Sequence, residues 1–121
     1  MKIRAGLSGV LLLPVLGALA GCHSYHVETT VENRTGSSVE LVEVDYPSAS
    51  FGINSLAAGA DFHYRFQIRG SGPLKVVFIS TDGRQTVVEG PAVAERQEGR
   101  LEIVLLPGNK AEFHPELRPV P

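Results

Sequence analysis

Between Asp61 and Arg69 apolar and polar residues alternate without a break. Phe62, Tyr64, Phe66 and Ile68 fall on one parity, His63, Arg65, Gln67 and Arg69 on the other. Successive side chains of an extended strand point to opposite faces, so this run predicts a strand with one face on a core and one in water. Tyr25–Glu32 repeats the pattern, with Val27, Thr29 and Val31 set against His26, Glu28, Thr30 and Glu32. Arg100–Leu106 is a third such run, with Leu101, Ile103 and Leu105 on its inner parity.

Other segments break the alternation in informative ways. In Ser38–Tyr46, Val39 and Leu41 share one parity while Val42, Val44 and Tyr46 share the other. Either both faces are covered or a bulge near Leu41-Val42 shifts the register. Leu74–Ser80 is apolar on both parities, as expected of a central strand buried on both faces. A short strand is expected at Ser50–Ile53. Asp82-Gly83 reads as a two-residue hairpin leading into Arg84–Glu89. Gly90–Gly99 reads as one helical turn or a polar loop, and Lys110–His114 as an edge strand. Pro115, Pro119 and Pro121 leave the last residues frayed. Turn residues punctuate the rest at Asn33–Gly36, Ala57–Ala60, Gly70–Pro73 and Pro107–Asn109. About seven short strands with no helical interlude point to an all-β domain, a small antiparallel β-sandwich of immunoglobulin-like architecture. A small open barrel is the competing arrangement.

The chain ahead of these strands has a different character. Lys2 and Arg4 precede an uncharged apolar stretch from Ala5 to Ala20 that is interrupted by Gly6, Gly9, Pro14 and Gly17. It is short for a membrane span, which needs about 20 apolar residues, and it has the positive start of an export signal. It ends in Leu19-Ala20-Gly21-Cys22, which resembles the lipobox of bacterial lipoproteins at all four positions. The resemblance implies cleavage before Cys22, a diacylglyceryl thioether on its sulfur and palmitate-type acyl chains that anchor the mature protein in a membrane. Each buried CH₂ of such chains contributes about 0.8 kcal/mol. His23, where Asp would resemble a retention signal for the inner membrane, implies an outer-membrane location facing the periplasm in a host with two membranes. Two further stretches carry a resemblance. Leu56-Ala-Ala-Gly59 resembles the Leu-x-x-Gly turn of bacterial immunoglobulin-like domains. The run from Asp45-Tyr46-Pro47 to Pro73-Leu74 resembles small bacterial lipoproteins, a likeness that brings no activity with it. The expected organisation is a signal peptide (1–21), a lipidated Cys22 with a short tether (22–26), a β-sandwich domain (27–114) and a Pro-rich tail (115–121).

Charge and chemistry narrow the function. The 121 residues carry 11 Lys and Arg against 13 Asp and Glu. Loss of Lys2 and Arg4 with the signal moves the net charge from −2 to −4, a balance that argues against a nucleic-acid partner. Cys22 is the only cysteine, so no intrachain disulfide forms, and a lipid thioether removes its thiolate from metal chemistry. His23 and His26 alone fall short of the four ligands of a structural zinc site. No metal and no cofactor is expected. Ser38, Ser48, Ser50, Ser71 and Ser80 include no Gly-x-Ser-x-Gly elbow, and phosphate-binding loops are missing. No catalytic residue is assigned. Asn33-Arg34-Thr35 fits the glycosylation sequon as a chance match.

Two surfaces stand out as contact candidates. One is the basic stripe His63, Arg65 and Arg69, extended by Lys75 if that residue lies on the neighbouring strand. It would meet anionic headgroups, an acidic glycan or an envelope protein. The other is Tyr46–Ile53, where Tyr46, Pro47, Phe51 and Gly52 combine rings and rigid backbone unless the rings belong to the core. The expected function is a membrane-anchored, non-enzymatic binding or structural module. The competing class is a small enzyme or an accessory subunit of an envelope enzyme complex, marked by a concave pocket of His63 and carboxylates.

Overall fold

In a computed structural model, residues 25–120 are described. The signal segment, the lipobox with Cys22, and His23 lie outside the described residues. Eight strands follow one another: β1 (Val27–Asn33), β2 (Val39–Tyr46), β3 (Ala49–Leu56), β4 (Asp61–Phe66), β5 (Gly72–Ile79), β6 (Gln85–Val93), β7 (Gln97–Leu106) and β8 (Lys110–Pro119). They form two four-stranded sheets, ordered β4-β1-β7-β8 and β3-β2-β5-β6. All pairings are antiparallel except β1 with β7. The sheets pack face to face as a sandwich. Constant-type immunoglobulin domains separate the third strand from the second and place it in the other sheet. Here β3 stays beside β2, so the architecture is shared and the strand order is not.

The inner faces are the ones the alternation marks. From the first sheet, Val27, Val31, Phe66, Leu101, Ile103 and Leu105 are buried. From the second come Val39, Val42, Val44, Phe51, Ile53, Leu74, Val76 and Phe78. Burial of aliphatic and aromatic area, at about 25 cal/mol per Å², drives the two faces together. One open side of the sandwich is closed by stacked rings from β2, β3 and β4, with Tyr46 on Phe66 at 3.9 Å and Phe51 on Tyr64 at 4.3 Å between centroids. The other side is closed where β6 meets β8. Gly90 admits the Phe113 ring there, because a methyl group at Gly90 would sit 2.9 Å from its carbons.

The bulge expected near Leu41-Val42 is present. The β2–β5 register slips between Glu40 and Glu43, and Leu41 adopts a left-handed φ of 47°. Val39 and Val42 both point inward as a result, which resolves the broken parity. β3 breaks step at the same level, where Asn54 and Ser55 are both exposed between Ile53 and Leu56.

Four expectations are corrected. The β5–β6 hairpin closes on Ser80 and Arg84 around three residues, Thr81-Asp82-Gly83, not two. Ser80 N–H donates to Arg84 O at 3.0 Å and Gly83 N–H to Ser80 O at 2.9 Å, with Gly83 at φ 80°. That is the longer hairpin in which a left-handed glycine follows a turn. Gly90–Gly99 holds no helical turn, and its polar loop is only residues 94–96, since β6 runs to the buried Val93 and β7 begins at Gln97. The Pro-rich tail is not frayed: β8 pairs with β7 as far as Pro119 opposite Gln97. Val120 N–H donates to Arg96 O at 2.8 Å. By alternation the missing N–H groups of Pro115 and Pro119 then fall on the side facing away from β7, where an edge strand tolerates proline. Finally, β5 is an interior strand but is buried on one face only. Lys75, Val77 and Ile79 on its outer face are half-buried.

Asn33 ties one end of the sandwich together. It is 1% exposed. Its Nδ2 donates to Ser37 O at 2.8 Å and Leu56 O at 2.9 Å, and its Oδ1 accepts from Thr35 N at 3.0 Å and Thr35 Oγ1 at 2.7 Å. Its backbone N–H donates to Ala60 O at 3.0 Å and its carbonyl accepts from Gly59 N at 2.8 Å. Both side-chain donors are committed to backbone carbonyls, so the amide is not presented for glycosylation. Removing it strands carbonyls and donors away from water. Asn33→Ala is expected to cost about 2–4 kcal/mol in urea unfolding. A loss below about 1 kcal/mol would show that these bonds are replaceable by water.

Candidate binding surface

The basic stripe does not assemble. β4 is an edge strand whose single neighbour is β1, and Lys75 lies on β5 in the opposite sheet, paired with Asp45 at 3.3 Å. Local alternation identifies the faces of a strand, but sheet membership depends on long-range pairing, and that is where the expected stripe fails. Arg65 meets Glu28 across the β4–β1 pair at 3.0 Å. His63 Nδ1 lies 3.1 Å from Thr30 Oγ1. Arg69, beyond the end of β4, donates to Gln67 Oε1 at 3.2 Å.

The outer face of the β4-β1-β7-β8 sheet is a checkerboard of charge. One row across it reads Arg65, Glu28, Arg100, Glu116, and the next reads His63, Thr30, Glu102, His114. Arg118 and Glu98 pair at 2.8 Å, Arg34 and Glu32 at 2.7 Å, and His114 and Glu112 at 3.2 Å. A depression of about 280 Å³ on this face is lined by Glu28, Thr30, Arg100, Leu101, Glu102, His114 and Glu116, and His63 is not among them. Among the described residues no group of three or more His, Cys, Asp or Glu side chains is placed to hold a metal ion.

Tyr46 and Phe51 belong to the sandwich rather than to a free loop, since the β2–β3 connection is only Pro47-Ser48. A shallow groove of about 370 Å³ nevertheless runs beside this hairpin and includes His26, Tyr46, Tyr64, Arg65, Gln67 and Arg69. The fold thus brings two of the expected basic residues to the expected aromatic segment, a juxtaposition across β3 and β4 that no local pattern discloses. At the opposite end, a cleft of about 300 Å³ is lined by Thr35, Ser37, Ser38, Ser80, Thr81 and Asp82 with Asn109. Asn109 Oδ1 accepts from Ser80 Oγ at 3.3 Å and Thr86 Oγ1 at 3.1 Å.

The outer face of the β3-β2-β5-β6 sheet differs from all of these. Val77 stands opposite Val87 on β6, and Ile79 opposite Glu40 on β2. The bulge turns Leu41 onto this same face at 58% exposure, and Val87 is 57% exposed. Four aliphatic side chains from three adjacent strands therefore share an uncovered surface. Around them stand Glu40, Glu43, Asp45 and Glu89, with Lys75 as the cation between Asp45 and Glu89. Glu43 is held above the ordinary carboxylate range by its hydrogen bond to Asp45 and by the repulsion between them, partly offset by Lys75. The local signal was the apolar residues on both parities of Leu74–Ser80. What the sequence did not disclose is that no described residue covers the second face.

Among solved structures, the NMR structure of a protein from Eubacterium rectale superposes with a TM-score of 0.56 over 79% of this chain and 95% of its own, at 12% identity. At that identity the likeness concerns the fold alone. No family model and no curated protein matches the chain.

Burial, and then the neighbouring Tyr64 phenol, raise the pKa of Tyr46 above its ordinary value. The stability this contributes is intact below the unfolded pKa of about 10 and drains away as pH climbs through the higher folded value. Tyr46→Phe is therefore expected to flatten the alkaline fall in stability, read by denaturant unfolding at a series of pH values above about 9. The same slope in both proteins would remove Tyr46 as its source.

Proposed function

We propose that this protein is a membrane-anchored, extracytoplasmic lipoprotein that acts without catalysis, binding an envelope protein through the outer face of the β3-β2-β5-β6 sheet. The anchor rests on the lipobox resemblance at Leu19–Cys22 and the apolar stretch before it. The recognition surface rests on one observation: Leu41 is held outward, in a left-handed backbone conformation, on the same sheet face as the exposed Val87 two strands away across β5. Left-handed backbone costs an ordinary L-residue about 1–2 kcal/mol. Asn or Gly would relieve that cost, yet the position carries a large aliphatic side chain in water. Contiguous aliphatic surface with a polar rim is the usual mark of a contact site, and retained backbone strain is concentrated where function requires it.

The anchor and the fold are compatible in geometry. Tyr25 lies under the Arg96 guanidinium, and His26 O accepts from Gly99 N at 3.2 Å. Residues 23–24 would then be the tether, reaching about 7 Å when extended, and the end of the sandwich where β1 begins would lie near the bilayer. The strands would then stand away from the membrane, with both outer faces open to partners from the side. An outer-membrane position facing the periplasm is the expected location in a host with two membranes.

Two experiments test this reading. Metabolic labelling with a fatty-acid analogue should mark the native protein and spare Cys22→Ala. Label that persists in the variant, or never enters the native protein, removes the anchor. For the surface, a photo-crosslinking residue at Val87 of the full-length protein in cells should give a discrete protein adduct, and one at Glu102 on the opposite sheet should give none. Leu41→Asn should abolish the Val87 adduct without lowering the urea midpoint. Equal adducts from both positions, or an adduct indifferent to Leu41, would overturn the surface.

A further inference from the structure

We infer that the uncovered β3-β2-β5-β6 face docks a cationic protein segment whose own contact side is aliphatic. This rests on the reading of that face as the recognition surface and names the chemistry of its partner. The aliphatic centre, Leu41, Val77, Ile79 and Val87, supplies apolar area without direction, so the charges around it choose the partner.

Those charges have one dominant sign. Glu40, Glu43 and Asp45 lie along the outer side of β2, Glu89 closes the far side on β6, and Lys75 is the single cation among them. Lys75 already pairs with Asp45 at 3.3 Å. Glu43 is left beside Asp45, and the hydrogen bond between them, with their repulsion, raises its pKa above the usual carboxylate value. A Lys or Arg brought to this rim relieves the repulsion while its stem covers the aliphatic centre.

The sign also disfavours two other occupants. A second copy of this chain docking through the same face would set carboxylates against carboxylates, which is unfavourable wherever like charges meet. An anionic headgroup surface would meet the same acids. The opposite sheet offers a weaker preference, because Arg65, Arg100 and Arg118 stand among the acids of its outer face and two of them pair with Glu28 and Glu98.

The test uses the full-length protein in a nonionic detergent and three short synthetic peptides in which Leu alternates with Lys, with Ser or with Glu. Fluorescence anisotropy should show the Leu–Lys peptide binding at least about tenfold more tightly than either other peptide, with affinity falling as salt rises. Combined Glu40→Gln, Glu43→Gln and Glu89→Gln should remove most of that preference. Combined Glu102→Gln, Glu112→Gln and Glu116→Gln on the other sheet should leave it in place. Equal loss from the two sets would mean diffuse attraction to an acidic protein and would overturn the assignment. If the Leu–Ser or Leu–Glu peptide binds as tightly as Leu–Lys, and Leu41→Asn weakens all three, the face is a docking site but its partner is not cationic. Binding indifferent to Leu41→Asn would instead defeat the recognition surface itself. Sedimentation showing a dimer broken by Leu41→Asn would identify a second copy as the occupant and overturn the cationic partner.

Discussion

The two sheets of this sandwich share no hydrogen-bond ladder, so something other than strand pairing must hold their ends in step. Asn33 is one such device. β1 leaves its sheet for β2, and β3 leaves the other for β4, at the same end of the molecule. Both crossings pass through the Asn33 side chain, which binds Ser37 O after β1 and Leu56 O at the end of β3. Its backbone continues the linkage through Ala60 and Gly59. A buried amide with every donor and acceptor engaged is stable because each alternative leaves an unpaired group in a poor solvent for it. Once these crossings are fixed, the inner faces meet in one register. Val31 and Leu105 then come to lie over Val39 and Leu56 as parts of one core.

Much of this was legible in the chain. The alternation at Tyr25–Glu32, Asp61–Arg69 and Arg100–Leu106 marks the inner faces of β1, β4 and β7, because a face that must be half in water writes its period into the sequence. The misplaced parity at Leu41-Val42 marks a real bulge for the same reason. The prolines of β8 hid its second half, beyond the edge strand expected at Lys110–His114, since proline is compatible with an edge but reads locally as a break. Asn33 read as a turn residue, because its burial depends on segments that are distant in sequence. Lys75 was assigned to the wrong neighbourhood, since no local pattern states which strands share a sheet.

The candidate surface arises from the expectation that failed most usefully. Apolar residues on both parities of Leu74–Ser80 imply two covered faces, and only one has a cover within the described residues. Residues patterned for burial but left in water raise solvation free energy, as does Leu41 at φ 47°. Both features sit on the same face, and the opposite outer face shows neither. Polar residues at Val77 and Val87 and Gly or Asn at Leu41 would lower that free energy. Each change is small and available at these positions.

Docking by a face rather than by an edge also agrees with how the open sides of the sandwich are finished. Strand addition needs a row of free backbone donors and acceptors. β8, a long edge, lacks the donors of Pro115 and Pro119 on its free side. β3 and β4 carry the stacked rings of Phe51, Phe62, Tyr64 and Phe66 along the side they share. β6 is packed against β8 through Gly90 and Phe113. The outer face bearing Leu41, Val77, Ile79 and Val87 is the one whose side chains gain most by leaving water.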